Sequence, residues 1–349
     1  MMQRILVCMP TLGRSSVEVW EVPADGGDGK PTRVHDCGVL ESPGEVVDAM
    51  RGLADRTQRL ALGVFHGPFG GTDVEGPLLV HEGVLHRVEE LAPRAPTTLP
   101  AIAEALRAFA INFPNVPSVF AHGSGFFAPL PPCERYYAIE PEEGRRRGME
   151  RTGFHGLFHA AAVQEIDVDS KVRTLSICLE PCPEAAAIVG TRPVMVTSGA
   201  TPVEGLPGQT TCGEIDPGMV LILAQEHHWS PEQIAEVLTQ ESGMLGLVGR
   251  PIDLTELFAS HDEATRLARD MMLYRLQMTA GMAIATMGGL DRIVFSGRHA
   301  AAGDVIGPWL CKRLPRAVSP TVTCVDTPFV ELLLDCAMKS LRDAVIPAG

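Results

Sequence analysis

Two short stretches carry most of the information in this chain: Arg151-Thr-Gly-Phe-His-Gly-Leu-Phe-His159 and Thr201-Pro-Val-Glu-Gly-Leu206. Two apolar segments between them, Thr174–Leu179 and Pro193–Val196, have the composition of short β-strands. Outward from this region, apolar strand-like segments alternate with segments that show helical periodicity. This alternation indicates an α/β protein.

The first half of the chain is predicted to begin with a strand hairpin and to continue as alternating helices and strands. Its predicted elements are strands Ile5–Cys8 and Ser15–Val22, helix Glu45–Gln58, strand Leu60–His66, helix Pro100–Asn112 and strand Ser118–Ala121.

The second half repeats this order. Besides the two strands named above, its predicted elements are a helix that starts at the capping box Ser230–Gln233, helix Asp262–Met287, strands Asp291–Gly297 and Thr321–Val325, and helix Pro328–Leu341. Two halves that each begin with a strand hairpin suggest a duplicated architecture, with a cleft between two lobes.

Composition and charge restrict the kind of protein and its partners. With 349 residues, of which 45% are hydrophobic and 21% charged, the chain is long enough for two soluble domains with a core in each. The net charge of −14 at pH 7 argues against nucleic acid as a partner, because no basic stripe is present to neutralise phosphates.

The sequence offers no sign of export or of a membrane span. No signal peptide is apparent at Met1–Val7, and no uninterrupted run of about 18 apolar residues occurs. Nine cysteines, an odd number spread from Cys8 to Cys336, are typical of reduced thiols in the cytosol. We therefore expect a cytoplasmic protein without a membrane partner.

Two further patterns have ordinary structural explanations. Cys178 and Cys182 lack a second ligand pair at zinc spacing, so buried or loop thiols are favoured over a metal site. The predicted helix Asp262–Met287 carries an apolar stripe, which favours a core position or a subunit interface. The stripe consists of Ala264, Leu267, Ala268, Met271, Tyr274 and Met278.

Several ordered motifs are similar to those of the acetate kinase family. The two stretches quoted first resemble that family's G-F-H-G-T-S-H and T-P-L-E-G-L motifs. The other matching segments are Glu90–Ala101, Gly213–Pro217, Ser242–Gly246, Met287–Asp291 and Val294–Gly297. From the number and order of these motifs, the chain is identified as a divergent member of that family.

The resemblance implies the fold that acetate kinase shares with sugar kinases, heat-shock chaperones and actin, in which two ribonuclease-H-like lobes hold ATP in a cleft. We expect the N-terminal lobe over residues 1–160 and the C-terminal lobe over 161–349, with the final helix packing back on the first lobe. The resemblance also implies a homodimer, ATP and Mg²⁺ as cofactors, and transfer of the γ-phosphoryl group to a small carboxylate.

Several positions that carry charge in the family are different here. Two arginines of the family correspond to Gly63 and Thr211, and its active-site histidine corresponds to Thr98. The family's catalytic-site aspartate is absent from Phe120–Phe126, and the polar residues of its first hairpin are reduced in Met9–Glu18. These changes remove the cations that would grip a migrating phosphoryl group.

The two nucleotide loops are changed as well. Cys178–Glu184 stands where the family has a glycine-rich phosphate loop, and its prolines remove amide donors while its two glutamates would repel a triphosphate. Gly297–Ala302 stands where the family has its adenosine loop. By resemblance, ATP and Mg²⁺ are the expected cofactors, and these loops argue against their binding.

A few polar residues remain as candidates for a site. His155 keeps its motif position and is the candidate catalytic residue, and the alternative is that it ties its lobe together. The candidates for substrate or cofactor binding are His66, His122, Gly297 and Arg298. Glu331 is the candidate metal ligand, if one residue is inserted after Thr327 relative to the family.

The sequence therefore leaves more than one function open. The leading hypothesis is a family member with an eroded active site, non-catalytic or repurposed as a regulatory subunit or as a ligand-binding protein, with a protein partner. The alternative is an ATP-dependent phosphotransferase that acts on a short carboxylate, in which Arg14, Arg298, His122 and His155 supply the cations. A small-molecule binding protein without turnover is a third interpretation.

Overall fold

The computed structural model describes residues 2–11, 14–23, 29–56, 60–95, 98–167 and 169–345. The chain forms two compact units: the residues up to Gly125 together with those from Phe329 onward, and the segment Phe126–Pro328. We call them unit 1 and unit 2. The boundary expected from the sequence follows residue 160, whereas the two units divide after Gly125.

The segment just after Gly125 belongs with unit 2 because of its apolar side chains. Phe127, Leu130 and Val163 are buried in one cluster with Ala186 and Ile188 from the second sheet. This burial places the chain around the first quoted stretch on the second sheet.

Unit 1 consists of one mixed sheet with helices packed on it. Its elements are β1 (Met2–Thr11), β2 (Arg14–Pro23), β3 (Thr32–Leu40), α1 (Pro43–Arg56), β4 (Leu60–Gly67), β5 (Leu78–Leu79), α2 (Glu82–Leu91), a short 3₁₀ turn (Ala92–Arg94), α3 (Leu99–Asn112), β6 (Ser118–His122) and the last helix, α13 (Phe329–Val345). The strand order is β3-β2-β1-β4-β6-β5. The final helix contacts β4, β5 and β6 of this sheet.

Unit 2 contains the second mixed sheet. Its elements are α4 (Pro132–Arg135), α5 (Pro141–Arg146), α6 (Gly156–Ala162), β7 (Arg173–Cys178), β8 (Glu184–Val189), β9 (Arg192–Val196), α7 (Pro217–Gln225), α8 (Pro231–Gln240), α9 (Gly243–Val248), α10 (Leu254–Ala259), α11 (Glu263–Met287), β10 (Arg292–Ser296), a 3₁₀ turn (Ala300–Ala302), α12 (Gly303–Cys311) and β11 (Thr321–Cys324). A further 3₁₀ turn, Gly123–Phe127, spans the point where the two units divide.

The two sheets share one connectivity. In unit 1, β1, β2 and β3 form an antiparallel meander, and β4 and then β6 extend the sheet in parallel on the other side of β1. In unit 2, β7, β8 and β9 form the meander, and β10 and β11 extend the sheet in parallel from β7. The predicted duplicated α/β architecture is therefore confirmed.

The best-defined predicted elements lie within a residue or two of their observed bounds. The capping box is present, because Ser230 Oγ accepts from the backbone N–H of Gln233 and the Gln233 side chain accepts from that of Ser230. The long helix α11 ends at Gly288, which has a φ of 70° that a glycine adopts without strain. Strands β3 and β8 were absent from the sequence prediction.

Packing in unit 2 is dominated by the interior face of α11. Its buried residues lie against the second sheet together with Met244, Leu254, Leu257 and Phe295. The opposite face of the same helix remains exposed and apolar, at Leu267, Met271, Tyr274, Met278 and Met282. The stripe predicted from the sequence thus lies mostly outside the core.

Within the part of the chain that the structure describes, none of the helices combines the length and apolarity needed to cross a lipid bilayer.

Candidate functional site

The two stretches quoted first are joined to each other in unit 2. Arg151 donates from Nη2 to Glu204 Oε1 at 2.7 Å, and the Tyr137 hydroxyl donates to Glu204 Oε2. The backbone N–H of Thr152 donates to the carbonyl of Gly199 at 3.0 Å. The arginine of the first stretch and the glutamate of the second are therefore partners in one ion pair.

Burial and the neighbouring carboxylate shape this contact. Burial, followed by the hydrogen bond to Glu204, raises the pKa of Tyr137 to about 12, so its hydroxyl keeps its proton.

Gly205 has a φ of 108°, and a Cβ there would lie 2.6 Å from the carbonyl oxygen of Thr197. Only glycine fits this backbone, which accounts for the glycine of the second stretch.

Glu184, the first residue of β8, is the most highly connected side chain of the site. It is fully buried, and its Oε1 accepts from the backbone N–H of His155 at 3.0 Å and from His159 Nε2 at 3.1 Å. Its Oε2 accepts from the backbone N–H of Phe154 at 2.9 Å and from Ser198 Oγ at 2.5 Å. Four donors thus surround one buried carboxylate.

These donors keep Glu184 ionised. Burial alone would raise its pKa, but the hydrogen bond from His159, the charge of His155 and the hydrogen bond from Ser198 lower it to about 2. His159 is itself fully buried and has its Nδ1 2.8 Å from Ser176 Oγ. Glu184, which we expected to repel a triphosphate, instead accepts hydrogen bonds within unit 2.

His155, the candidate catalytic residue, immediately precedes α6 and is partly buried. Its ring Nε2 lies 2.9 Å from the carbonyl oxygen of Cys182, and its backbone N–H donates to Glu184. Because a carbonyl oxygen only accepts, Nε2 carries a proton in this arrangement. The ring therefore holds the β7–β8 loop in place.

Arg298 and Gly297 follow β10 and contact the same loop. Arg298 donates from its backbone N–H to Glu180 Oε1 at 2.7 Å and from Nε to Glu180 Oε2 at 2.8 Å. Gly297 has a φ of 89°, and a Cβ on it would lie 3.0 Å from the carbonyl of Leu179. The two predicted nucleotide loops are thus tied directly to each other.

His299 is a site residue that the sequence reasoning missed. Its Nε2 lies 3.3 Å from the side-chain nitrogen of Gln209, and its Nδ1 lies 3.3 Å from Thr255 Oγ1. Burial lowers the pKa of His299, so its imidazole is neutral at pH 7. The sequence signal that could have indicated His299 was its position directly after Arg298, which we had named as a candidate.

His66 and His122 lie at the same edge of the unit 1 sheet but on opposite faces. Strands β4 and β6 are parallel, and Gly67 pairs with His122, so the preceding His66 points to the other side. The His66 ring meets Phe329 at a centroid distance of 4.8 Å, whereas His122 stacks on Phe120 at 5.5 Å. The structure does not bring these two candidates to one ligand position.

His122 is buried, with 3% of its surface exposed. Its Nδ1 lies 3.1 Å from Ser124 Oγ, and its Nε2 has no hydrogen-bond partner among the described residues. Burial, together with the charge of Arg87, lowers the pKa of His122 to about 4. A neutral imidazole argues against His122 as a source of positive charge at pH 7, and its role at a site stays a prediction.

Gly63, Thr98 and Thr211, the three positions singled out in the comparison with the family motifs, all make packing contacts in this structure. A Cβ on Gly63 would lie 2.5 Å from Cζ of Phe109. The aromatic ring of Phe109, which lies in α3, therefore fills the space beside Gly63 of β4. Thr98 is buried at the start of α3, and Thr211 Oγ1 lies 3.7 Å from Cys182 Sγ.

Glu331, the candidate metal ligand, lies in the first turn of α13 and is partly buried. Across residues 2–345, apart from the short gaps in the described ranges, no three histidine, cysteine, aspartate or glutamate side chains lie together in a way that could hold a metal ion. Glu331 is thus placed in unit 1 without a ligand set around it, and its role as a metal ligand stays a prediction.

The fold is similar to those of two solved small-acid kinases. Acetate kinase from Porphyromonas gingivalis matches with a TM-score of 0.80 at 22% identity, covering 97% of this chain and 100% of that one. A propionate kinase from Francisella tularensis matches with a TM-score of 0.79 at 19% identity, with the same coverage. At such identities, the likeness establishes the fold.

Sequence comparison is more specific. The model of the acetokinase family matches residues 57–304. The acetate kinase of Nitrobacter hamburgensis is 35% identical over 231 residues, which cover 65% of this chain and 57% of that protein. The acetate kinase of Rippkaea orientalis is 30% identical over 278 residues, covering 76% and 69%.

The chain belongs to the acetokinase family. The family predicted from the motifs is therefore confirmed. The match to the N. hamburgensis enzyme spans less than two thirds of that relative's length.

Proposed function

We propose that this acetokinase-family protein does not work as an ATP-dependent acetate kinase, and that it serves as a regulatory subunit or a ligand-binding protein. One observation carries the proposal: the polar groups beside the family motifs bind each other. His155 is held by Cys182 and Glu184, and Arg298 is held by Glu180. We assign His155 a structural role on this basis.

The donor set of the nucleotide loops does not fit ATP with Mg²⁺. Pro181 and Pro183 offer no amide N–H to a phosphate, and the carboxylate of Glu180 lies in the same loop. Among the described residues, Glu331 belongs to no group of three metal-ligating side chains, so it could hold Mg²⁺ only together with the phosphates of a bound nucleotide. We therefore derive no reaction step through either group.

The first sheet adds a second obstacle to phosphoryl transfer. A side chain at position 63 would collide with the ring of Phe109, so the packing beside β4 leaves no room for an arginine there. Loss of one phosphate-gripping arginine costs on the order of 3–5 decades in rate, by analogy with arginine fingers. His122 is neutral at pH 7 and does not replace the missing charge.

Two measurements test this proposal. Isothermal titration calorimetry with Mg-ATP is expected to show no saturable binding in the range where a working acetate kinase, measured in parallel, binds. Hydroxamate trapping with acetate, propionate and butyrate is expected to give no acyl phosphate above a no-enzyme control. Saturable ATP binding together with acyl phosphate formation would refute the proposal.

A second candidate is an ATP-dependent phosphotransferase with a short carboxylate as acceptor. It is favoured by the named acetate kinases at 30–35% identity. In that case Arg14 and Arg298 are the remaining cations, and they would have to leave Glu41 and Glu180, respectively. ATP binding that is lost in Arg298→Ala and kept in the surface control Arg313→Ala would support this candidate.

We also propose that the protein is a homodimer. The support is the exposed apolar face of α11 in unit 2, which an isolated chain would leave in contact with water. A regulatory subunit would in addition bind a different protein partner, and a pull-down with the native chain as bait would identify it.

A further inference from the structure

One end of the second sheet is rich in basic residues. Strands β7, β9, β10 and β11 run in the same direction, so all four begin at this end of the sheet. Three of these strands begin with an arginine: Arg173, Arg192 and Arg292. Because neighbouring strands lie about 4.8 Å apart, the three arginines form a row about 14 Å long from β10 to β9.

Helix α12 ends beside this row and adds three more cations. It connects β10 to β11, and since these two strands are parallel, it returns to the end of the sheet where β11 begins. The segment after α12 carries Lys312, Arg313 and Arg316, all exposed. We call the six residues the basic edge: Arg173, Arg192, Arg292, Lys312, Arg313 and Arg316.

Most cations of the basic edge lack an acidic partner. Arg173 pairs with Asp291 at 2.7 Å, and the guanidinium of Arg313 lies over the ring of Trp309, with Cζ 3.7 Å from the ring centroid. The other four residues of the edge form no ion pair with any residue that the structure describes. In the run Arg145–Arg147, by contrast, every arginine pairs with a glutamate of the same unit.

The acidic residues that come closest along the chain lie on the other face of the sheet from α12. They are Glu165, Asp167 and Asp169, which follow α6. The segment after α6 packs on the face of β8 that carries Ala186, whereas α12 packs on the face that carries Ala187. Since successive residues of a strand point to opposite faces, the acids after α6 and the cations after α12 are separated by the sheet.

We propose that the basic edge docks an acidic segment of a protein partner. This inference rests on the proposed role as a regulatory subunit and names the surface that its partner contacts. The arginine row and the end of α12 together span about 20 Å, which an extended segment of about six residues covers. Like charges on neighbouring strands repel one another, so an acidic segment would relieve that repulsion as it binds.

A short acidic segment suits this surface better than a nucleic acid. The six cations come from four separate segments of the chain, so the fold assembles a charged surface that the sequence does not show as a stripe. A nucleic acid carries charge on every nucleotide and would extend beyond the edge over a protein with a net charge of −14. A partner protein can confine its acidic residues to the length of the edge.

The basic edge is distinct from the candidate site described above. Arg298 and the β7–β8 loop follow the ends of β10 and β7, whereas the basic edge lies where these strands begin. Strand β7 has six residues, so the two surfaces are about 20 Å apart along it. A partner on the basic edge therefore leaves the candidate site uncovered.

Fluorescence anisotropy with a fluorescein-labelled peptide of about eight glutamates tests this surface. At about 0.15 M salt, the native chain is expected to bind the peptide saturably at micromolar concentration, and more weakly as the salt is raised. The triple variant Lys312→Gln/Arg313→Gln/Arg316→Gln is expected to raise the dissociation constant about tenfold, since it removes three exposed ion pairs with the peptide.

The matched control is Arg145→Gln/Arg146→Gln/Arg147→Gln. It removes the same charge from a run that also lies at a helix end, but these arginines already pair with glutamates. Its dissociation constant for the peptide is expected to change by less than about twofold, because salt screens distant charges. Arg192→Glu, at the other end of the row, is a second test variant and is expected to weaken binding several-fold. Circular dichroism melts report whether each variant folds.

The outcomes separate this inference from the proposed function. A native chain that does not bind the peptide, or a control variant that weakens binding as much as the test variants do, would overturn the basic edge as a docking surface. Tighter binding of an oligothymidine of equal charge would overturn the class of partner. Acyl phosphate formation by a chain that also binds the peptide at the basic edge would overturn the proposed function and leave the docking surface standing.

Discussion

Replacing Glu184 by glutamine is the sharpest test of how the first motif is held. The substitution keeps one acceptor oxygen and puts an NH₂ group in place of the other. On the Oε1 side this NH₂ group faces the amide of His155, and on the Oε2 side it faces the amide of Phe154. Either way a buried backbone N–H loses its acceptor, which costs about 1–3 kcal/mol.

The lost charge adds to that cost. Lowering the pKa of Glu184 from 4.5 to about 2 corresponds to roughly 3 kcal/mol of stabilisation at neutral pH. Since the two costs add, we expect Glu184→Gln to lower the free energy of unfolding of unit 2 by about 4–6 kcal/mol at pH 7. This is a large fraction of the 5–15 kcal/mol typical of a domain.

The stabilisation by Glu184 is expected to depend on pH. Because the folded pKa of Glu184 is depressed, its contribution is complete above pH 4.5 and is lost as the pH falls toward about 2. The difference between native and variant protein should therefore shrink as the pH falls from about 5 to about 2, where it approaches the cost of the unpaired amide.

Urea unfolding followed by tryptophan fluorescence measures this, since Trp229 and Trp309 report on unit 2. Glu236→Gln on the exposed face of α8 is the control for the change in net charge. It should change the free energy of unfolding by no more than about 0.5 kcal/mol. A Glu184→Gln cost below about 1 kcal/mol, or a cost that does not change with pH, would refute the reasoning.

Three further predictions concern the other parts of the site. Gly63→Ala should lower the free energy of unfolding by about 1–3 kcal/mol, because the added methyl group presses on Phe109. Gly52→Ala, with open space around its Cβ, should leave the stability unchanged or raise it. Thermal melts compare the two variants, and equal melting temperatures would contradict the packing argument. His122 should stay neutral until the pH falls to about 4, as followed by nitrogen-15 NMR of the imidazole, and a midpoint near 6.5 would contradict its burial. Arg151→Ala should lower the free energy of unfolding by about 1–3 kcal/mol in urea, and a loss below about 0.5 would show that the ion pair is dispensable.

The elements with strong local signals could be predicted from the sequence. The capping box at Ser230 and the long periodic helix α11 carry their own start signal or repeat, and both are present. Strand β3 was missed because most of its residues are exposed and it shows no alternation of apolar and polar residues. Strand β8 was missed because it begins with Glu184 and continues with three alanines, which are poor strand formers.

The site was less predictable than the fold, for a physical reason. The sequence showed two glutamates in a loop, and charge alone suggested that they would repel phosphate. Only the three-dimensional contacts show that Glu180 meets Arg298 and that Glu184 meets two backbone amides. In the same way, the motif placed His122 near a sheet edge, but its neutrality follows from burial, which one chain position does not reveal.

The ion pair between Arg151 and Glu204 has a consequence for tracing ancestry through these motifs. Since each residue is the other's partner, a change at one is expected to persist only together with a change at the other. Selection for a folded interior is then enough to preserve both stretches, whatever the chain binds. Chains that keep the pair should accordingly share this interior even where they differ in their ligands.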